Sequence, residues 1–478
     1  MRIRFYALAL PLALFATPAL AMTWNVPGDF PTIQQAINAS TSGDIVLVAP
    51  GTYTENLLIP AAQNGIKIHS SGGAGVTTID GGAAGTTVEF DNVGITTEII
   101  GFTITNGNSA TGGGLALFNA NPKVDSNIIT GNVGQLGGGI FGDHTQSTIS
   151  NNQITNNAAS VAGGAGGGLY LDDASLAQVF NNTIDGNSTV GAGGGLLLRL
   201  NSNANVHDNT ITNNSAGTNG GAFFITGATA PQIKNNVIRN NHADSGLGGG
   251  FDIASGAFPT ITLNQIVSNT ALNSAGIHVV SSSPGITQNN IQDNAAATGN
   301  AGGIGVTGVT ANPTIQKNLI IRNFAGNNGG GLWVSGSTIT ATSNTIALNS
   351  GAVDGGGVFA IGNARVTLVR DIVSHSPVGN GVSQGDAGSV ITVRCCDVWG
   401  NTVTNYNGMA DPTGLANNFS ADPFYCDIFS LDFHLFLSSP CTAANAPNCG
   451  LIGALDVGCM GPVRTQVKSW GSIKATYR

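Results

Sequence analysis

One pattern recurs along most of this chain and leaves it few folds: Asn-x-Ile-x-x-Asn, then a glycine cluster, then a short apolar alternation. Its isoleucines are Ile129, Ile154, Ile184, Ile211, Ile238, Ile266, Ile291, Ile320 and Ile346, spaced by 25, 30, 27, 27, 28, 25, 29 and 26 residues. Ile104, Ile372 and Val398 extend the series with degenerate motifs. A period in the twenties marks a solenoid, whose coils bury their apolar faces only against one another. A leucine-rich repeat would need leucines and a helical return segment. A calcium-binding nonapeptide roll would need Gly-Gly-x-Gly-x-Asp every nine residues. The sequence has neither. Several short strands per coil, separated by turns, do fit, with coils about 4.8 Å apart and right-handed crossovers. The expected fold is therefore all-β: a right-handed parallel β-helix solenoid of about a dozen coils.

The segments after the glycines support this reading. Leu115 and Leu117, Leu169 and Leu171, Leu196 and Leu198, and Leu332 and Val334 alternate with a freely varying residue. Alternation with period two turns the apolar residues inward and the intervening ones outward. The asparagines form two columns, Asn127 to Asn344 and Asn132 to Asn349, suited to amide ladders along the axis. The glycine clusters, such as Gly137 to Gly139, suit turns that need positive φ. They lack the strand–glycine–helix setting and following lysine of a phosphate loop.

The 478 residues would make two or three ordinary domains. Only 9% are charged, however, and 70 are glycine, which argues for one repetitive body. Residues 1–21 read as a signal peptide: Arg2 and Arg4, an apolar stretch from Ala7 to Phe15, and Ala19-Leu20-Ala21 before the cut. The formal net charge is −9, and −11 once Arg2 and Arg4 are removed. There is no basic patch, so nucleic acid is not an expected partner. No later segment is long and apolar enough to span a bilayer. The expectation is a secreted or cell-surface monomer, extracytoplasmic and of bacterial type.

A solenoid needs its raw ends covered. Pro31-Thr-Ile33-Gln-Gln-Ala36-Ile37 predicts a short N-terminal capping helix with Pro31 in its first turn. This stretch, from Val26 to Ile37, with Gly43-Asp-Ile-Val-Leu-Val-Ala-Pro-Gly-Thr-Tyr-Thr-Glu55, resembles the opening of pectinesterases and of the wider pectin-lyase-like superfamily. The repeats resemble the right-handed β-helix region of secreted bacterial proteins, and together the resemblance covers residues 23 to about 410. All six cysteines come late: Cys395, Cys396, Cys426, Cys441, Cys449 and Cys459. An even number in a secreted chain predicts disulfides, with 15 pairings open. No CxxC or clustered histidine accompanies them, so no metal site is expected. The expected boundaries are β-helix over 22–415, a Cys-rich C-terminal cap over 416–461, and a tail over 462–478. The tail reads equally as a final strand, a linker scar or a sorting signal.

On a β-helix the outward side chains of successive coils form rows. One row reads Phe141, Tyr170, Leu197, Phe223, Asp252, His278, Gly305, Trp333 and Phe359, and its aromatics suit stacking on sugar rings. A second reads Asp143, Asp172, Arg199 and Ile225, with His144 and Asp173 alongside. Paired carboxylates beside an arginine suit acid–base work, or uronate binding with calcium. Candidate catalytic residues are thus Asp143, Asp172 and Arg199; candidate ligand-binding residues are Phe141, Tyr170, Phe223, His144 and Asp173. No cofactor is required, and calcium is compatible with the acidic row. Leu171-Asp172-Asp173 resembles the paired aspartates of polygalacturonases, and Asp143-His144 a dipeptide of pectate lyases. The other motifs of these families are absent: Gly-His-Gly and Arg-Ile-Lys of polygalacturonases, Asp-Phe-Ile-Phe-Gly of pectinesterases, and Arg-x-Pro-x-x-Arg of pectate lyases. No catalytic set transfers whole. The reading is a β-helix protein that binds polysaccharide or a cell-surface glycan through an outward strand face. The alternatives are a lyase or glycoside hydrolase acting on an acidic glycan, and a non-enzymatic structural or adhesion rod.

Overall fold

The computed structural model describes residues 20–460. The expected signal segment falls almost wholly, and the expected tail over 462–478 wholly, outside the described residues. Within them the chain is a right-handed parallel β-helix whose coils run through four sheets. In the coil that follows Phe118, the strands are Lys123–Asp125, Ile128–Thr130, Val133–Leu136 and Ile140–Asp143, which belong to the first, second, third and fourth sheets. The sheets contain 15, 14, 10 and 14 strands, so there are about fifteen turns rather than a dozen. The additional coils lie at the start, where Ile45–Val48, Lys67–Ser70 and Glu98–Ile100 stack without the asparagine motif.

The motif maps onto the coil directly. The second-sheet strand is three residues long, and its central isoleucine is its one inward side chain. Ile129, Ile154, Ile184, Ile211 and Ile238 are in register and fully buried. The residue before each ladder asparagine holds positive φ, as Asn151, Asn181, Asp208 and Asn235 do at 56–57°. That residue turns the corner, and the next places its amide in the interior. The Asn209 backbone N–H and Nδ2 both donate to Asn236 Oδ1, at 2.9 and 3.0 Å, and Nδ2 also donates to the Val179 carbonyl at 2.9 Å. Asn209 Oδ1 in turn accepts from the Asn182 N–H and Nδ2 at 2.9 and 3.0 Å, so every polar atom of the buried side-chain amide is satisfied, which the low dielectric of the interior demands. The glycine triplets serve two purposes: Gly137 has φ 68°, while a Cβ on Gly138 would strike the carbonyls of Ala158 and Gly167 at 2.6 Å.

The front is closed by the helix Ile33–Ala39, with Ile33, Ala36 and Ile37 buried. Thr32 is its N-cap, so Pro31 lies just ahead of the first turn rather than in it. Glu55 accepts the N–H groups of Ile33 and Gln34 at 2.9 Å each, satisfying two donors that a helix start leaves unpaired. At the other end, Tyr425–Asp427, Asp432–Phe436 and Val457–Cys459 form a small separate sheet. Two disulfides hold this end, Cys395–Cys449 and Cys426–Cys459. The expectation that all six cysteines pair is corrected here: Cys396 and Cys441 are reduced and buried. Cys395, at φ 54°, occupies the corner and turns outward to Cys449. Cys396 takes the next, ladder position inside, where Asp371 N–H donates to its Sγ at 3.4 Å. Cys441 lies elsewhere, donating to Asp397 Oδ2 at 3.3 Å.

Candidate functional site on the fourth sheet

The fourth sheet holds both rows predicted from the sequence, with one correction of register. Leu196 pairs with Phe223 and Leu197 with Phe224. Phe223 therefore points into the core, fully buried and stacked on Phe251 at 4.7 Å, and is not a ligand-facing residue. Ile225 is likewise internal, and Arg199 pairs with Thr226. The cause is local. Ala222 takes the place of the third glycine of the cluster, its carbonyl accepting from Leu196 N–H as the Gly195 carbonyl accepts from Leu169 N–H. Counting Ala222 as the first strand residue slips the register by one, and a slip of one exchanges the faces.

The corrected outward row reads Ala116, Phe141, Tyr170, Leu197, Phe224, Asp252, His278, Gly305 and Trp333. Phe141, Tyr170 and Leu197 form a satellite apolar cluster, covered by Leu136 and Ala165. Phe141 is 6% and Tyr170 3% exposed, so neither ring offers a face for stacking. Phe118 packs against Phe141 at 5.7 Å and Phe141 against Tyr170 at 5.6 Å. The half-buried rings at the ends of this cluster are Phe118 and Phe224. Burial, with the nearby Asp172 carboxylate, pushes the Tyr170 hydroxyl up to about 12.

The edge row reads Asp91, Phe118, Asp143 and Asp172, continuing to Arg199 and Thr226. Arg199 makes a bidentate pair with Asp172, Nε to Oδ1 at 3.0 Å and Nη2 to Oδ2 at 2.6 Å, and its guanidinium lies 5.7 Å from the Tyr170 ring centre. The hydrogen bonds to Asp172 hold the guanidinium above its ordinary pKa. Asp172 Oδ1 also accepts from Asp173 N–H at 3.0 Å. Both oxygens of Asp172 are therefore engaged, whereas a general base needs a free one. Asp143, His144 and Asp173 gather beside this pair, with His144 Nδ1 2.9 Å from Asp143 and Nε2 3.5 Å from Asp173. His144 and Asp173 are exposed and hold positive φ, 50° and 30°, which swings both side chains to the same edge.

Ligand atoms of Asp143, His144 and Asp173 lie within 4.8 Å of one another. The set fits calcium poorly. That ion takes six to eight oxygen ligands, while here one donor is an imidazole whose two nitrogens face the two carboxylates.

One arrangement was not read from the sequence. Asp252 and His278 hold outward positions, yet are 1% and 3% exposed and lie 2.6 Å apart. The signal was present, because the two residues occupy the same strand position in successive coils. Their pairing emerges only with the register.

A family model described as right handed beta helix region matches residues 45–266 and 191–291. No curated protein matches the sequence. Among solved structures, the chain is similar to the A-module of a mannuronan C-5 epimerase from Azotobacter vinelandii: 15% identity over 84% of this chain and 100% of that one, TM-score 0.33. It is similar to the catalytic unit of a thermostable α-1,3-glucanase from Streptomyces thermodiastaticus: 13% identity over 85% and 71%, TM-score 0.35. It is also similar to pectin methylesterase from carrot: 10% identity over 84% and 88%, TM-score 0.19. These likenesses are too distant to speak to activity.

Proposed function

Because this chain belongs to the right-handed beta helix family, we propose that it is a secreted or cell-surface protein that binds polysaccharide along the edge row of its fourth sheet. The observation that carries this reading is the continuity of that row. Phe118, Asp143, Asp172 and Arg199 follow one another coil by coil, with His144 and Asp173 beside them. Spacing of about 4.8 Å per coil is comparable with the length of one sugar ring. Successive rings of an extended glycan would therefore meet successive coils. The half-exposed Arg199 guanidinium retains donors for a uronate, and the carboxylates and imidazole suit sugar hydroxyls. Phe118 and Phe224 replace Phe141, Tyr170 and Phe223 as the rings that a sugar can approach. The buried aromatics instead back the polar row and hold it rigid.

Binding is favoured over catalysis at this row by the state of Asp172, which Arg199 and a backbone N–H occupy completely. The two disulfides support an extracytoplasmic location. Among the described residues no helix is long and apolar enough to cross a membrane.

The test is affinity electrophoresis of residues 22–478 through gels containing pectins, alginates or neutral glycans, with calcium and with chelator. Retardation by at least one acidic glycan is expected, unchanged by chelation, with about tenfold weaker binding for Arg199→Ala, equivalent to about 1.4 kcal/mol. Unretarded migration through every gel would refute the proposal.

A further inference from the structure

Beyond the binding row, the fourth sheet carries an acid, an imidazole and a hydroxyl in sequence. Phe224, Asp252 and His278 are successive members of the outward row. His278 Nδ1 lies 2.6 Å from Asp252 Oδ1, and its other nitrogen, Nε2, lies 3.3 Å from Thr307 Oγ1, nearer than the Val279 carbonyl oxygen, which Oγ1 also reaches at 3.5 Å. The strand position outside His278 in the next coil is Gly305, where a Cβ would collide with Ser274. Ser274 and Ala301 thus close over the row at Gly305, and Asp252 and His278 beside it are buried. Thr307 is only half buried and stands at the edge. It shares the edge row of Asp172 and Arg199, four coils beyond Arg199, or about 19 Å at about 4.8 Å per coil.

We propose that Asp252, His278 and Thr307 form a relay that cleaves acyl esters, with Thr307 as the nucleophile. The arrangement meets the geometric requirements: nucleophile beside base, and base oriented by a third group. With its Nδ1–H donated to the Asp252 carboxylate, His278 presents a bare Nε2 to the Thr307 hydroxyl. As Oγ1 attacks the ester carbonyl, His278 takes its proton. The C–O bond to the alcohol breaks, and the departing oxygen receives that proton from His278. The acyl-threonine is then opened by water, which gives a proton to His278 as it adds to the carbonyl. Collapse of the adduct returns that proton to Oγ1 and releases the carboxylic acid. Ser335, paired with Thr307 in the next coil, offers a hydroxyl donor to the carbonyl oxygen at the same edge. Asp252 is a positioning residue that fixes the tautomer and orientation of His278 and never meets the substrate. The relay stands apart from the glycan reading. Only the further step, that the ester is borne by a bound polysaccharide, rests on it.

The experiment follows p-nitrophenyl acetate hydrolysis by residues 22–478, with mass spectrometry of the peptide containing Thr307 after acid quenching. The expected result is nitrophenol release with an acetyl increment on Thr307. Nitrophenol release should fall roughly 10²–10⁴-fold in Thr307→Val and in Asp252→Asn, and the acetyl increment at position 307 should vanish in Thr307→Val. Thr307→Ser should retain activity, and Asp252→Asn should lower kcat with KM little changed. Thr307→Val keeps the β-branched shape of a half-exposed strand residue, and its circular dichroism and melting should match the parent. Hydrolysis that survives Thr307→Val would overturn the relay and transfer the activity to the exposed histidines. Absence of hydrolysis in the parent would overturn it equally. A parallel arm measures acetate released from an O-acetylated glucan, with affinity electrophoresis on the same polymer. Cleavage of the nitrophenyl ester without release from the glucan would leave the relay standing and remove the glycan-borne ester. Release that depends on both Thr307 and Arg199 would join the two.

Discussion

Asp371 takes over the ladder after Asn344, whose Nδ2 and backbone N–H donate to its carboxyl oxygen at 2.9 and 2.7 Å. Complete burial outweighs those bonds and pushes its pKa from 3.8 up to about 7, and burial does the same to Asp397. Both groups hold their proton more tightly folded than unfolded. Their contribution is therefore full below the unfolded value near 3.8 and is lost as pH rises to about 7. The fold should thus be less stable at pH 8 than at pH 5, by on the order of 2–4 kcal/mol for each group, and should unfold at a lower temperature there. Asp371→Asn should flatten part of that slope, as measured by melting across this range. The ladder asparagines carry a comparable stake. Asn209→Ala strands the Asn182 backbone N–H and the Val179 carbonyl, both of which it satisfies. A cost of about 3 kcal/mol in chemical denaturation is expected, because unpaired buried polar groups keep their full desolvation penalty.

Among the elements, the corners decide where adjacent residues point. Cys395 and Cys396 differ by one position, yet one is disulfide-bonded outside and the other sits reduced in the ladder. Alkylation of the unreduced protein in denaturant should label two thiols, Cys396 and Cys441, and alkylation of the folded protein should label neither. Burial and the Asp371 and Asp397 charges respectively keep both in the thiol form. Reading the sequence could not assign these pairs, because spacing along the chain does not say which side of a corner a residue faces. The strands were legible where the motif anchors them, since the Ile and Asn columns fix the register independently. Ala222 broke the count because it replaces a glycine at a position whose apolar character mimics the strand that follows. The burial of Phe141 and Tyr170 was also beyond the sequence. It depends on Leu136 and Ala165 folding over the strand face from the third-sheet side, and period-two alternation identifies a face without saying what covers it. The edge residues Asp143, His144, Asp172, Asp173 and Arg199 do come together as their strand positions implied.

Across the whole molecule, nearest-neighbour coil stacking means that length is adjustable. Deleting residues 210–236 removes one coil and joins Asn209 to Val237, restoring an Asn-x-Ile sequence. Each remaining column then pairs across the junction with the partners it would have had. The shortened protein should fold with unchanged β-sheet circular dichroism and, by small-angle scattering, lose about 4.8 Å of length. Removing half a coil should instead abolish folding, because inward and outward faces no longer align.

The two columns of asparagine amides have a further consequence. In each, Nδ2 of one coil donates to Oδ1 of the following coil, always in the same sense, from Asn127 through Asn344 and from Asn132 through Asn349. The amide dipoles therefore add head to tail rather than cancelling, and the C-terminal end of each column is its positive pole. The cylinder is electrically directional along its axis, and every inserted coil would enlarge that moment while leaving the net charge untouched.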